Sequence, residues 1–460
     1  MKLNFTGYIL LLAVCLSVHG SPEPDIVYCT DTETSVRLNE YFTTLSEVGR
    51  FDGAVLVASG DTVLLSAGYG LADFEFSIPV TPETVFPIGS NTKQFTAAGI
   101  MLLMDRGLLN IEDPVSVYIP DAPEQWRDIH IHHLLNHTSG IPSEGAYNTT
   151  DPVDQSLSEL VSKIMELPLE YEPGNSMVYS NNGYITLSFI IERVSGVSYD
   201  QFLQENLFQP AGMTGTGQDN VRDVFPLRAS GSSRVAGRRI HYEPQNTHNR
   251  FGAGSLHSTV VDIFRWLRSF HTGGGIISTQ ATESMTDNDY GMVRAEMDGR
   301  TVIGHGGRAV GFISYTLYFP EQDVTLIFLS NYDRTPMVKI PSDMAAIVFD
   351  EPYSVPQPIH RETAPSDAGT LSEFSGTYSL EWESSWTYRV FLEGDRLFYT
   401  SFFPEETVEL FFEGEDTFFV TPESADSFIF SRDDDGNIIG LDMYTLEGIS
   451  DHAVKVTGEF

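Results

Sequence analysis

The chain is expected to fold as an α/β (α+β) domain, an antiparallel sheet with an inserted helical region, followed by a small all-β barrel or sandwich. Three observations lead there. Strand-like segments stand at both ends of the larger, N-terminal part, whereas the stretch between them carries apolar residues at helical spacing. Pro356, Pro358 and Pro365 then sit among polar residues without a packing period, which marks a linker over 353–370. Beyond it, short aromatic strands follow one another with turns between them.

Residues 1–20 read as an export signal. Lys2 gives the positive start, residues 9–16 the apolar run, and Val18-His19-Gly20 the small residues for a cut after Gly20. That run is too short to span a bilayer. Val14 stands where a small residue should precede a lipidated cysteine, so Cys15 is not expected to carry a lipid anchor. Cleavage would leave Cys29 as the only cysteine, with no internal disulfide, and stability must then come from the size of the core. The expected organisation is a leader at 1–20, a large domain at 21–352, the linker at 353–370 and an antiparallel barrel-like domain at 371–460. After leader removal no integral membrane segment is expected, and the location is secreted or periplasmic.

Composition narrows the partners. A hydrophobic content of 41% argues against a disordered polymer, despite a formal net charge of -38. With 64 acidic against 26 basic residues, the chain repels anionic surfaces and nucleic acid is excluded as a partner. Oligomeric state is not legible.

Residues 51–58 and 62–68 read as an early hairpin around Ser59-Gly60-Asp61. Pro79, Pro82 and Pro87 keep the chain extended, and a helix is expected from Gln94 to Leu109, with Gly107 near its end. Further helical patterns fall at 129–135, 157–167, 184–194, 199–207 and 259–270. Strands follow at 311–319 and 324–330. In the C-terminal part, strands are expected at 376–382, 387–392, 397–403, 408–412, 417–420, 427–431 and 438–443.

The chemistry starts from Ser90-Asn91-Thr92-Lys93, where a hydroxyl and an amine three residues apart leave one face of the helix at its N-terminus. A lysine at its reference pKa of roughly 10.4 is a poor base. Burial or nearby positive charge must keep the amine neutral before the pair becomes a nucleophile and its base. Two further segments raise the value of this pair. In Tyr179-Ser180-Asn181 a phenol that can relay a proton and an amide that can orient a substrate project to one side if the backbone is extended. In His305-Gly306-Gly307 two glycines allow the close backbone approach that an oxyanion donor requires.

At these residues the chain resembles the serine beta-lactamase and penicillin-binding-protein-like hydrolases. The branch is that of class C beta-lactamases, D-aminopeptidases, D-alanyl carboxypeptidases and related esterases. The matching pieces are Phe86-Pro87-Ile88-Gly89-Ser90-Asn91-Thr92-Lys93, His133-Leu134-Leu135-Asn136-His137-Thr138-Ser139-Gly140, Tyr171-Glu172-Pro173-Gly174, Tyr179-Ser180-Asn181, Gly252-Ala253-Gly254-Ser255-Leu256 and His305-Gly306-Gly307. Phe374-Ser375-Gly376-Thr377-Tyr378 resembles the start of the small barrel appended to some peptidases and esterases of the branch.

The resemblance implies Ser90 as the acylated nucleophile, Lys93 as its proton acceptor and Tyr179 as the partner that returns the proton to the leaving group. Asn181 and Gly307 would contact substrate. His305 would occupy the third-motif position, where classical beta-lactamases carry lysine. The oxyanion hole would be the backbone N–H groups of Ser90 and Arg308. No metal or organic cofactor is implied. A neutral histidine at 305 offers hydrogen bonding rather than a permanent cation. Small esters or peptides, including those with D-amino acids, are therefore the expected substrates, with beta-lactam hydrolysis and a catalytically weak peptide or peptidoglycan binder as alternatives.

The set His130, His132, His133 and His137 lacks the Glu of a His-Glu-x-x-His pattern. His133 and His137 would share a helical face, but scaffolding under the cleft is the simpler role. Asn136-His137-Thr138 and Asn148-Thr149-Thr150 match glycosylation acceptors.

Overall fold

The computed structural model describes Leu16–Ser17 and residues 27–456, apart from 149, 151–152, 236, 243–244, 274, 382–386, 401–406 and 446–447. Most of the expected leader, with its cut after Gly20, lies outside the described residues, as do the far ends of the strands expected at 376–382 and 397–403. Two compact units form. One holds the chain up to Gly231 with Tyr242–Thr335 and Pro341–Ser354; the other holds Ser232–His241, Pro336–Ile340 and Val355–Phe460.

The first unit is built on an eight-stranded sheet that both ends of the unit supply. Gly53–Ser59 and Thr62–Tyr69 form the expected hairpin, turning at Gly60 with φ +57°. Val324–Ser330 then pairs along the whole of Gly53–Ser59, with Leu326 opposite Val57. Phe312–Phe319, Arg300–Ala309 and Val293–Met297 extend the sheet on that side. Every ladder is antiparallel except one, in which Val27–Tyr28 runs parallel to the start of Thr62–Tyr69.

Helices fill the middle of the unit, as the spacing requires. Thr92–Asp105, Leu157–Glu166, Asn181–Ser195 and Val260–His271 pack their apolar faces into one core with Phe95, Ile185, Trp266 and Leu267 fully or almost fully buried. The helix expected over 129–135 is the single turn-and-a-half Ile131–Leu135, after which His137 adopts φ +62°. His133 and His137 therefore do not share a helical face. Tyr199–Leu203 is α-helical, but the continuation Gln204–Phe208 widens into a π turn.

Among the elements that go beyond the sequence reading, two stand out in the first unit. Glu33–Glu47 is a helix capped by Thr32, whose side chain accepts from Ser35 N–H, and it buries Leu38, Tyr41, Phe42 and Leu45. Arg300–Ala309 is a strand although three glycines interrupt its pattern. Pairing on both edges, not side-chain propensity, holds it in the sheet.

The second unit is a closed eight-stranded barrel of Gly376–Leu380, Thr387–Glu393, Arg396–Thr400, Thr407–Gly414, Thr417–Phe419, Ser427–Arg432, Ile438–Thr445 and Gly448–Lys455. Seven strands follow the expected pattern; the eighth, Gly448–Lys455, closes the barrel by pairing with both Ile438–Thr445 and Gly376–Leu380. Its Ser, Asp and His residues hide it from an apolar count. Alternate residues point inward, so Tyr378, Leu397, Phe418, Phe428 and Leu441 make the core, joined by Val235 of the hairpin Ser232–Val235 with Arg238–His241. Among the described residues no helix is long and apolar enough to cross a membrane.

Phe374 sits in this core against Phe418 and Phe430 at ring separations of 4.8 and 5.0 Å, and its carbonyl accepts from the Tyr378 hydroxyl. Truncation there leaves a cavity. Phe374→Ala is expected to destabilise the barrel by about 3–5 kcal/mol, read as a lowered denaturant midpoint by circular dichroism.

Candidate active site

The turn that carries Ser90, the expected nucleophile, is fixed by backbone packed directly on backbone. Phe86–Pro87 pairs with Leu256–Ser258, and Ile88 N–H donates to the Leu256 carbonyl at 2.9 Å. Gly89 then takes φ +52°, and the chain passes through the 3-10 turn Gly89–Asn91 into the helix Thr92–Asp105. A Cβ on Gly89 would stand 2.5 Å from the Arg308 carbonyl oxygen, and one on Gly307 would stand 2.1 Å from the Ile88 carbonyl oxygen. Both glycines are needed for this approach, the first also for its φ. Ser90 and Arg308, whose N–H groups form the expected oxyanion hole, therefore belong to adjoining segments.

Asn91, fully buried beside Ser90, bolts the turn to the sheet. Its amide donates to Ser314 Oγ at 2.7 Å, and its carbonyl accepts from Thr316 Oγ1 at 2.9 Å and Gln94 Nε2 at 3.1 Å. Ser314 in turn donates to the Ile88 carbonyl at 2.6 Å. The role of Asn91 is not legible in the sequence, because its Ser314 and Thr316 partners lie more than two hundred residues away.

Lys93 is 0% exposed, and its amine lies 2.8 Å from Asn181 Oδ1, 2.7 Å from the Ala253 carbonyl and 3.3 Å from Ser90 Oγ. Burial lowers its pKa well below 10.5; Arg250 lowers it further, and Glu144 opposes both. A neutral amine has two N–H bonds and one lone pair. Two carbonyl acceptors take the N–H bonds, and the lone pair is left for the Ser90 hydroxyl.

Tyr179 and Asn181 meet at this amine. Ser180 is extended, with φ -129° and ψ 116°, and caps the helix Asn181–Ser195 by accepting from Gly183 N–H. The Tyr179 ring centroid is 4.6 Å from Lys93 Nζ. Its phenol is pushed up to about 12 by burial, while the Ser90 hydroxyl and Arg250 pull it down. His137 stacks on Tyr179 at 4.4 Å and accepts from Ser180 N–H through Nδ1, so it props the phenol ring. Burial above all, then Lys93 and His305, holds His137 down at about 3.

His305 stands 6.2 Å from the Tyr179 ring. Its Nδ1 contacts the Gly306 carbonyl, which only a protonated Nδ1 can do as donor, so Nε2 carries the lone pair. Burial, then Lys93, lowers its pKa to about 4, and it is neutral near pH 7. On the other flank, the Asn181 amide donates to Glu144 Oε1 at 2.9 Å and to the Tyr147 hydroxyl at 3.1 Å. Arg250 lies over the Tyr147 ring at 5.5 Å. Tyr147, Glu144 and Arg250 were not anticipated, since loop residues acquire meaning only through the fold.

The remaining histidines stay apart from this cluster. His130, His132 and His133 crowd one another at ring separations of 4.2–5.6 Å, and His133 Nδ1 accepts from His130 N–H. Among the described residues no group of three or more His, Cys, Asp or Glu is placed to hold a metal ion.

With this geometry, the sequence pattern of the family described as Beta-lactamase matches residues 38–348. The chain belongs to the beta-lactamase family. Penicillin-binding protein 4* of Bacillus subtilis is 29% identical over 416 residues, covering 83% of this chain and 91% of that protein. Protein flp of Staphylococcus aureus is 26% identical over 323 residues, 64% of this chain and 62% of its own length. The octameric penicillin-binding protein homologue from Pyrococcus abyssi shares the fold with TM-score 0.61 and 24% identity, over 92% of this chain and 99% of that one. The D-amino acid amidase from Ochrobactrum anthropi SV3 does so with TM-score 0.60 and 23% identity, over 68% and 98%. The beta-lactamase-family fold with a C-terminal β-barrel is thus established for this chain.

Two outcomes follow for this beta-lactamase-family site. Asn91→Ala leaves Ser314, Thr316 and Gln94 short of a partner, at about 1–3 kcal/mol each, and should lower the unfolding midpoint. With Lys93 as the expected base, which must be neutral to act, kcat/KM should rise with pH through its folded pKa. His305 and His137, at about 4 and 3, are already neutral above that range, and burial pushes Tyr184, the other ring beside the amine, well above 10.0. Glu144→Gln removes an anion that favours the charged amine and should move the acid limb to lower pH. Arg250→Gln removes an opposing cation and should move it to higher pH.

Proposed function

We propose that this chain is a serine hydrolase that forms an acyl-enzyme on Ser90 with small ester or peptide substrates. One observation carries the reading: the buried Lys93 amine has acceptors for both its N–H bonds and one lone pair left for the Ser90 hydroxyl. Ser90 attacks the substrate carbonyl carbon as Lys93 takes its proton, and the carbonyl oxygen becomes an oxyanion. The N–H groups of Ser90 and Arg308 stabilise that oxyanion in a site with little competing water. Tyr179 passes a proton to the departing oxygen or nitrogen as the tetrahedral intermediate collapses. Water then attacks the ester on Ser90, and the reverse proton movements release the acid.

Asn181 and Gly307 line the substrate, and His305 offers an acceptor at Nε2. A neutral imidazole in place of a lysine favours esters and peptides over ligands that need a cation there. The relatives named for penicillin binding and for D-amino acid amidase chemistry support the same mechanism. The reading includes export: a leader at 1–20 cut after Gly20 places the domain at 21–352, the linker at 353–370 and the barrel at 371–460 outside the cytoplasm, in secreted or periplasmic form. Lys2, the short apolar run and the small residues before Ser21 support it.

Intact-mass analysis after a fluorophosphonate probe tests the chemistry. One adduct per chain is expected on Ser90. In Ser90→Ala the adduct should vanish and ester turnover should fall by about three orders of magnitude or more. A folded wild-type protein that no probe, ester or peptide acylates would contradict the proposal.

A further inference from the structure

The site contains a fixed cation that the acylation steps do not use. Arg250 ends the 3-10 turn Thr247–Arg250, and its carbonyl accepts from Ala253 N–H and Gly254 N–H, each at 3.0 Å. It is thereby tied to the segment whose Ala253 oxygen holds Lys93. A Cβ on Gly254 would lie 3.6 Å from Arg250 Cδ and 3.6 Å from the Gly89 carbonyl carbon, so the arginine stem runs beside the nucleophile turn. The guanidinium lies 5.5 Å from the Tyr147 ring centroid, on the flank where Asn181 donates to Tyr147.

Arg250 is left without a counter-ion there. Its Nε is buried with no hydrogen-bond partner, and it forms no ion pair among the described residues. Glu144, the nearby carboxylate of this flank, is engaged by the Asn181 amide. Elsewhere Arg228, Arg268 and Arg361 each hold an acidic side chain. In a chain with 64 acidic against 26 basic residues, a half-buried guanidinium with no carboxylate paired to it beside the Ser90 turn is a desolvated charge that an incoming anion would satisfy. Its planar fork suits a carboxylate.

We propose that Arg250 binds a carboxylate on the acyl portion of the substrate, so that the preferred substrates are esters or amides of acids carrying a second acidic group. This assignment rests on the acyl-enzyme reading above. The leaving group departs beside Tyr179, which hands it a proton. A charge read on the Asn181–Tyr147 flank therefore belongs to the part that stays on Ser90. Arg250 acts as a specificity-determining residue, and it leaves the third-motif position at His305 free of that duty.

The test compares kcat/KM for p-nitrophenyl hemiglutarate, p-nitrophenyl valerate and 3-carboxy-4-nitrophenyl valerate, with spontaneous hydrolysis subtracted and at a pH above the acid limb of every protein used. The wild type should favour the hemiglutarate over the valerate about ten-fold or more, with no gain from a carboxylate on the leaving group. Arg250→Gln should lose that ratio, and Arg250→Lys should keep part of it. A wild-type ratio near one, a ratio unchanged in Arg250→Gln, or a gain confined to the leaving-group carboxylate would overturn the assignment. If Arg250→Gln does not fold, product inhibition of the wild type decides: glutarate should compete at a concentration about ten-fold or more below that of valerate, and equal inhibition would overturn it. A wild type that turns over neither acyl ester removes the hydrolase reading itself, whereas one that takes valerate without preferring the hemiglutarate removes only the role of Arg250.

Discussion

One buried amine organises the chemistry proposed for this chain. Lys93 lies at the floor of the site with a side-chain carbonyl on one side and a backbone carbonyl on the other, and the serine hydroxyl completes its surroundings. Removing such a group from water penalises its charged form, and the neighbouring guanidinium acts in the same direction. The neutral form that results is the one with a lone pair to offer. Asn181 thus holds the amine, because without its oxygen the amine would have a free N–H and a choice of orientations.

The fold exists around this placement in a specific sense. The sheet joins Gly53–Ser59 to Val324–Ser330, which brings the far strand Arg300–Ala309 within reach of a turn more than two hundred residues earlier. That turn approaches closely only because positions 89 and 307 lack a Cβ. The buried Asn91, Ser314 and Thr316 hydrogen bonds then lock the register between them. A fully paired polar cluster of this kind costs little and specifies one arrangement, whereas a partly paired one would be destabilising.

Legibility in the sequence divided along physical lines. Ser90 and Lys93 were readable because a helix fixes the geometry of residues three apart, and Tyr179 and Asn181 because two side chains in one extended tripeptide share a direction. Their convergence on one point came from the resemblance, since no local rule brings residue 181 to residue 93. Tyr147, Glu144 and Arg250 were not readable at all: they sit in loops and a short 3-10 turn whose course depends on tertiary packing. In the fold, alternating aromatic strands of the barrel announced themselves, while Gly448–Lys455 did not, as its place is set by two neighbours and not by its own composition. The histidines of 130–137 misled in one respect, for the helix ends at Leu135 and a positive φ turns His137 away toward Tyr179.

The charge state of Lys93 is the claim on which acylation stands. It can be observed directly in the folded protein by following the 13Cε signal of lysines against pH, with the Lys93 resonance assigned by its loss in Lys93→Arg. The account predicts that this one signal moves to its neutral position at a pH well below the reference lysine value of roughly 10.4. A Lys93 signal that stays in its charged position until that reference value would contradict it.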